Sequence, residues 1–167
     1  MKKILKTIDS ISEWAGKIFA YLVLPIMLLE FFEVIARYVF NAPTEWSWEV
    51  ASILSGLMFI MGGAWVLKEE GHVRTDIIYA LLNKRWRAAF DLLFFTVIFF
   101  AFVGVMIWVG VPKAIHSTRI LERTFTNWAP PIYPLKITIA TAFILLGLQG
   151  LAKWTRSAYF LIKGEDL

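Results

Sequence analysis

Four stretches of this chain are apolar enough and long enough to cross a lipid bilayer, and this feature limits its fold more than any other. They lie roughly at residues 18–40, 48–67, 88–111 and 134–154. Each exceeds the length needed to span a hydrocarbon core about 30 Å thick. Because backbone groups in lipid must be hydrogen-bonded within the segment, the spans are predicted to be helices. The sequence therefore predicts an all-α integral membrane protein, with residues 1–167 forming one membrane domain.

The composition agrees with this interpretation. Hydrophobic residues make up 59% of the 167, and charged residues only 18%, against about a quarter in soluble domains. One core cannot hide so much apolar surface, so the excess is expected to face lipid. The chain has no cysteine, which excludes disulfides, thiolate metal sites and cysteine nucleophiles.

The distribution of lysine and arginine predicts the orientation in the membrane. Twelve of the 17 lie before the first span, between the second and third spans, or at the C-terminal end of the chain. Cytoplasmic loops carry such an excess of positive charge, so both termini are predicted to be cytoplasmic. The net charge of +4 is then a topology signal and indicates no nucleic-acid partner.

The cytoplasmic loop between the second and third spans has a helical pattern at residues 75–86. Apolar side chains such as Ile78, Leu82 and Trp86 recur at helical spacing, and Thr75 or Asp76 would cap the helix. The pattern predicts a short amphipathic helix in the membrane surface. An early start of the third span is the alternative.

The outer loop, roughly residues 112–133, carries positive charge and aromatic residues. His116, Arg119 and Arg123 fall at helical spacing, and Trp128 precedes a proline-rich approach to the fourth span. These four residues predict a docking surface for another protein. An interfacial linker that touches lipid headgroups has the same composition, so both interpretations remain open.

Charges within the spans are the most informative polar residues, because a charge in the bilayer interior is strongly disfavoured. Glu30, Glu33 and Arg37 share one face of the first span, and Glu49 lies near the start of the second. Glu30 and Glu33 could form a proton or cation relay. Alternatively, the four residues form a structural charge cluster that fixes the first two helices or a partner subunit. An arginine within reach of several carboxylates favours the structural interpretation.

Small residues on the second span predict close helix packing. They are Ser52, Ser55, Gly56, Gly62 and Gly63. Such residues let another helix approach closely but do not identify it.

No catalytic or metal-binding pattern is visible. The two histidines, His72 and His116, fall on opposite sides of the membrane in the predicted topology, so they cannot ligate one metal or haem. The chain has no phosphate-binding loop and no recognisable catalytic triad. The sequence therefore predicts no enzyme activity and no cofactor.

Several short motifs, in order, resemble the small four-helix subunit of tripartite ATP-independent periplasmic (TRAP) transporters, the DctQ-like family. They are RYVFNAP at residues 37–43, WE at 48–49, GGAWVL at 62–67 and GHVRTD at 71–76. The stretch from Glu122 to Lys136, together with LQG at 148–150, is similar to the branch of the family for mannitol, chloroaromatic or 2-oxo acid uptake.

The resemblance implies a heteromeric importer in the bacterial inner membrane. A large multi-helix subunit would carry the substrate and sodium sites, and a periplasmic binding protein would deliver an organic acid. This chain would be a scaffold that supports the large subunit and helps to dock the binding protein. By the same resemblance, Arg37 would pair with Glu49, while Gly71, His72 and Asp76 would shape the cytoplasmic turn.

Two other classes remain as alternatives. A self-sufficient small proton-coupled exporter would use Glu30 or Glu33 as its proton site, although the strong charge bias differs from the weak bias of such proteins. A membrane anchor for a redox enzyme would need haem ligands on one side, which the sequence does not offer.

Overall fold

A computed structural model describes residues 2–69 and 83–165, and this part of the chain is built from helices. The helices are α1 (Lys2–Ala20), α2 (Val23–Tyr38), α3 (Trp46–Lys68), α4 (Lys84–Phe94), α5 (Phe100–Arg119) and α6 (Tyr133–Lys163), with a π-helical turn at Phe95–Phe99 between α4 and α5. Where consecutive helices are joined, they make four long helical segments, called rods below. These are Lys2–Tyr38, Trp46–Lys68, Arg85–Arg119 and Tyr133–Lys163, each long and apolar enough to cross a membrane. The prediction of a four-helix membrane protein is confirmed.

The regular α-helix of the first rod is interrupted between α1 and α2, and Pro25 accounts for the interruption. A proline inside a helix has no N–H to donate and clashes with the carbonyl four residues earlier, here that of Tyr21. At the interruption, Tyr21 and Leu22 donate instead to the carbonyls of Ile18 and Phe19, three residues back. The rod has 37 residues, so it is about 55 Å long and exceeds the thickness of a bilayer.

The helix starts well before the predicted first span of 18–40, because α1 has an amphipathic pattern that average hydropathy does not detect. Its buried residues are Leu5, Ser12 and Gly16, which share one face, while its lysines lie elsewhere on the helix. This face packs against α3 and α6. The small residues at 12 and 16 let these helices approach closely.

The four rods form an open row rather than a closed bundle in the half that contains α2. There α2 packs chiefly against α3, α3 packs against α6, and α6 packs against α5. The buried positions along these contacts are mostly small, such as Ala51, Ala64, Ala140 and Ala152. One consequence is that only Glu33 and Ala36 of α2 are buried, so most of this helix is left for lipid or a partner.

The N-terminal part of α1 and the C-terminal part of α6 lie on the same side of the helix assembly. The carboxylate of Asp9 in α1 contacts the Arg156 guanidinium in α6, with Oδ2 and Nη2 2.5 Å apart. This agrees with an even number of crossings. The assignment of that side to the cytoplasm remains a prediction from the charge bias.

The region predicted as the outer loop begins within α5. Residues 112–119 belong to α5, although the loop was expected over 112–133, because the helix continues through Pro112 as far as Arg119. A membrane helix tolerates an internal proline where neighbouring groups satisfy the freed carbonyl. The fourth helix likewise continues past residue 154 to Lys163.

The predicted amphipathic segment at 75–86 lies mostly outside the described residues, as do Gly71, His72 and Asp76. Within the described part, α4 begins at Lys84 and continues through the π-helical turn into α5. Trp86 therefore belongs to the rod of the third span. For residues 84–86 this is the early start that the sequence left open as an alternative.

Candidate functional site

The Glu33 carboxylate lies at the junction of α2 and α3. It is buried, with only 8% of the residue exposed. Its Oε1 accepts hydrogen bonds from Arg37, at 3.1 Å from Nε and 2.6 Å from Nη2. Its Oε2 accepts from the Thr44 backbone N–H at 3.2 Å, from the Thr44 hydroxyl at 2.5 Å and from the Ser47 hydroxyl at 2.9 Å. Both oxygens are engaged.

The chain reaches this arrangement through a tight turn between α2 and α3. Asn41 adopts a positive φ of 49°, a conformation that asparagine tolerates better than most residues. The Ala42 N–H then donates to the Ala36 carbonyl at 2.9 Å. This turn brings Thr44 and the first turn of α3 back over Glu33, so one carboxylate joins the end of α2 to the start of α3.

The four residues predicted as one charge cluster do not form one in the described structure. Glu33 and Arg37 pair, one helical turn apart. Glu49 instead accepts a hydrogen bond from the Thr126 hydroxyl at 2.9 Å, so the Arg37–Glu49 pair implied by the family resemblance is replaced by Arg37–Glu33. Glu30 is exposed and makes no ion pair or hydrogen bond with the described residues.

Aromatic rings attach the outer loop to the same region. Phe32 stacks on Trp46 with centroids 6.1 Å apart, and Trp46 contacts Trp128 at 6.3 Å. The Thr126–Glu49 hydrogen bond lies beside them. Trp128 is therefore part of the packing between loop and helices, and its exposed fraction is 45%.

The rest of the loop is ordered by its own hydrogen bonds. Thr124 N–H donates to the Pro130 carbonyl at 3.0 Å, and Ile132 N–H donates to the Glu122 carbonyl at 2.9 Å. Arg123 donates through Nη1 to the Ala129 carbonyl at 3.1 Å. The loop thus folds back on itself and holds a defined shape.

An ion pair closes the base of the loop. The Lys136 ammonium lies 2.5 Å from the Glu122 carboxylate. It is the main reason why the pKa of Glu122 lies below its ordinary value. The pair is therefore charged at neutral pH and joins the start of the loop to the first turn of α6.

The predicted docking residues occupy different places. His116 and Arg119 are exposed in the last turn of α5, whereas Arg123 and Trp128 contribute to the loop itself. Among the large hydrophobic side chains of the described residues, Phe125 in this loop is the most exposed. Sequence reasoning missed it, because an isolated phenylalanine in a loop has no periodic pattern.

A second polar network, which the sequence also did not reveal, joins α1 to α6. Gln149 is 1% exposed; its amide oxygen accepts from the Ser12 hydroxyl and its amide nitrogen donates to Asp9, both at 2.9 Å. Arg156 completes the set through its contact with Asp9. Buried polar groups must be hydrogen-bonded, and only the packed helices show that these partners meet.

A metal site is not among these arrangements. Within residues 2–69 and 83–165, no group of three His, Cys, Asp or Glu side chains is placed to hold a metal ion.

The fold, together with the polar contacts around Glu33 and Gln149, defines a multi-pass membrane protein whose helices are fixed to one another by these contacts. A family model described as "Tripartite ATP-independent periplasmic transporters, DctQ component" matches residues 26–159. The chain belongs to this family, and so it is a small component of a TRAP transporter. Membership implies a complex with a large membrane subunit and a binding protein. A comparison with curated proteins finds no match.

Proposed function

We propose that this chain is a non-catalytic scaffold subunit of a sodium-coupled importer of an organic acid in the bacterial inner membrane. The large subunit would carry the substrate and sodium sites and would move against this chain. The binding protein would deliver an acid of the kind taken up by the mannitol, chloroaromatic or 2-oxo acid branch. In this proposal, Gly71, His72 and Asp76 shape the cytoplasmic turn.

The observation that carries the proposal is the full engagement of Glu33. A relay carboxylate must gain and lose a proton and exchange partners during the cycle. Glu33 accepts from Arg37, Thr44 and Ser47 at once, and protonation would weaken every one of these contacts. Such a residue is suited to holding α2 and α3 together.

The ordered outer loop supports a docking role. Internal hydrogen bonds and the Glu122–Lys136 pair give the loop a defined shape, in which Phe125 is fully exposed. A rigid, exposed aromatic residue is typical of an interface anchor. The exposed His116 and Arg119 at the end of α5 add positive charge, which would attract an acidic surface on the binding protein.

We expect Phe125→Ala to weaken binding of the periplasmic protein about tenfold or more, because the anchor ring is lost. The measurement is the Kd of the purified binding protein for the two-subunit membrane complex in lipid nanodiscs. Phe125→Tyr keeps the ring and should retain binding. Trp14→Ala is the control, because Trp14 is also a largely exposed aromatic residue but lies in α1, away from the outer loop. Equal Kd values for Phe125→Ala and Trp14→Ala would contradict the docking role.

A further inference from the structure

A groove between α2 and the start of α3 has no occupant among the described residues. It is lined by Glu30, Val34 and Arg37 from α2 and by Ser47 and Trp48 from α3, with Glu33 at its base. Trp48 and Arg37 are both exposed. The groove is polar, although it lies along helices that cross the membrane.

Glu30 lines this groove and is exposed. It precedes Tyr38, the last residue of α2, by eight positions, which is about 12 Å along the helix axis. The predicted span of 18–40 places it near the middle of the bilayer. Its neighbours Met27, Leu28 and Phe31 are large, apolar and exposed. A carboxylate in such surroundings is strongly disfavoured unless a partner faces it.

The α3 side of the groove is shaped for a close neighbour. Ser52 and Gly56 follow Trp48 at intervals of four residues, so the three lie on one face of α3, and all are exposed. A Cβ added to Gly56 would meet no atom within 4 Å. Small residues on an open face allow a second helix to approach the backbone closely.

We infer that this groove seats a transmembrane helix of the large membrane subunit, which presents a cationic side chain to Glu30. The inference rests on the proposed function, because it needs the large subunit. It goes further by naming the face of the small subunit and the chemistry of its partner.

A second copy of this chain fits the groove less well. Copies with the same orientation in the membrane meet at equal depth, so Glu30 would face residues from the middle of a span. The middle segments of the other three spans, at residues 50–67, 92–112 and 137–152, contain no lysine, arginine or histidine. A cationic partner for Glu30 must therefore come from another protein.

The first test is crosslinking within the complex. A photoreactive benzoylphenylalanine would replace Val34, which lines the groove and is exposed, or Trp108, which is exposed on α5. We expect position 34 to crosslink to the large subunit at least tenfold more efficiently than position 108. Crosslinking of position 34 to a second small subunit, or to lipid alone, would overturn the inference.

The second test is copurification of the large subunit with tagged Glu30→Leu. We expect at least a tenfold lower yield of complex, while the isolated variant melts at the same temperature as the parent subunit or higher, since its unpaired carboxylate is gone. Glu45→Leu is the matched control, because Glu45 is exposed in the turn before α3. An unchanged yield for Glu30→Leu would contradict the inference.

The experiments distinguish a wrong groove assignment from a wrong proposed function. If the parent subunit binds the large subunit but uses another face, only the groove assignment is wrong. If the parent subunit binds no large subunit under any condition, the proposed function is wrong as well.

Discussion

Replacing Glu33 with leucine is expected to lower the melting temperature of the purified subunit by roughly 5–10 °C, the largest effect of any single charge removal. The substitution removes the acceptor that Arg37, Thr44 and Ser47 share. It leaves the Thr44 N–H and the buried Ser47 hydroxyl without this partner. Loss of a buried acceptor is more damaging than loss of a surface pair, because the donors have already left water. The measurement is thermal unfolding in detergent, followed by tryptophan fluorescence.

Two variants make the Glu33 result specific. Glu33→Gln keeps the shape and one carbonyl acceptor, so its melting temperature should fall between those of Glu33→Leu and the parent. Glu45→Leu changes an exposed carboxylate next to Thr44 in the chain, and it should melt close to the parent. If Glu33→Leu and Glu45→Leu melted at the same temperature, Glu33 would not be joining α2 to α3.

Replacing Gly16 with alanine is expected to destabilise the subunit by about 1–3 kcal/mol, the usual range for overpacking a core. A Cβ at position 16 would lie 2.5 Å from Cβ and 2.8 Å from Cε3 of Trp65. The Trp65 Cβ is fixed to the backbone of α3, so the two helices must separate to make room. The measurement is the free energy of unfolding in mixed detergent micelles.

Gly62→Ala provides a matched control for the same chemical change. A Cβ at Gly62 would meet nothing within 4 Å, and alanine favours helix over glycine by about 1 kcal/mol. The control should therefore be as stable as the parent or slightly more stable. If both variants were equally stable, the close approach of α1 to α3 would be wrong.

The spans could be predicted from sequence because hydropathy averaged over about twenty residues identifies membrane-crossing segments. The full lengths of the rods could not be predicted in this way. α1 contains several lysines, which lower its average hydropathy, and it is helical because Leu5, Ser12 and Gly16 pack against α3 and α6. The third span was predicted to end near residue 111, yet α5 continues through Pro112 to Arg119. In both places tertiary surroundings outweigh the local signal.

The site was predictable in part. Glu33 and Arg37 were identified because charged residues are rare within membrane spans. Their spacing of four residues predicted that the two side chains could meet. Thr44 and Ser47 were missed, because ordinary hydroxyl residues acquire importance only when the turn at Asn41 brings them to Glu33. The same holds for Gln149, whose partners Asp9 and Ser12 are distant in sequence.

The open row of helices gives a physical reason for a partner. A closed bundle would surround its polar residues, whereas α2 packs chiefly against α3 and exposes Glu30. A carboxylate in a membrane interior is unfavourable for the isolated subunit and favourable once a donor faces it. The subunit is therefore expected to be complete only within the transporter.

The central claim is that this chain supports transport but does not perform it. The most direct measurement is sodium-driven uptake into proteoliposomes of the organic acid held by the binding protein, with that acid first identified by a thermal-shift screen of the binding protein. Liposomes would contain this chain, the large subunit, or both, with the loaded binding protein added outside. We predict uptake only when both membrane subunits and the binding protein are present. Uptake by this chain alone, or undiminished uptake without it, would contradict the account.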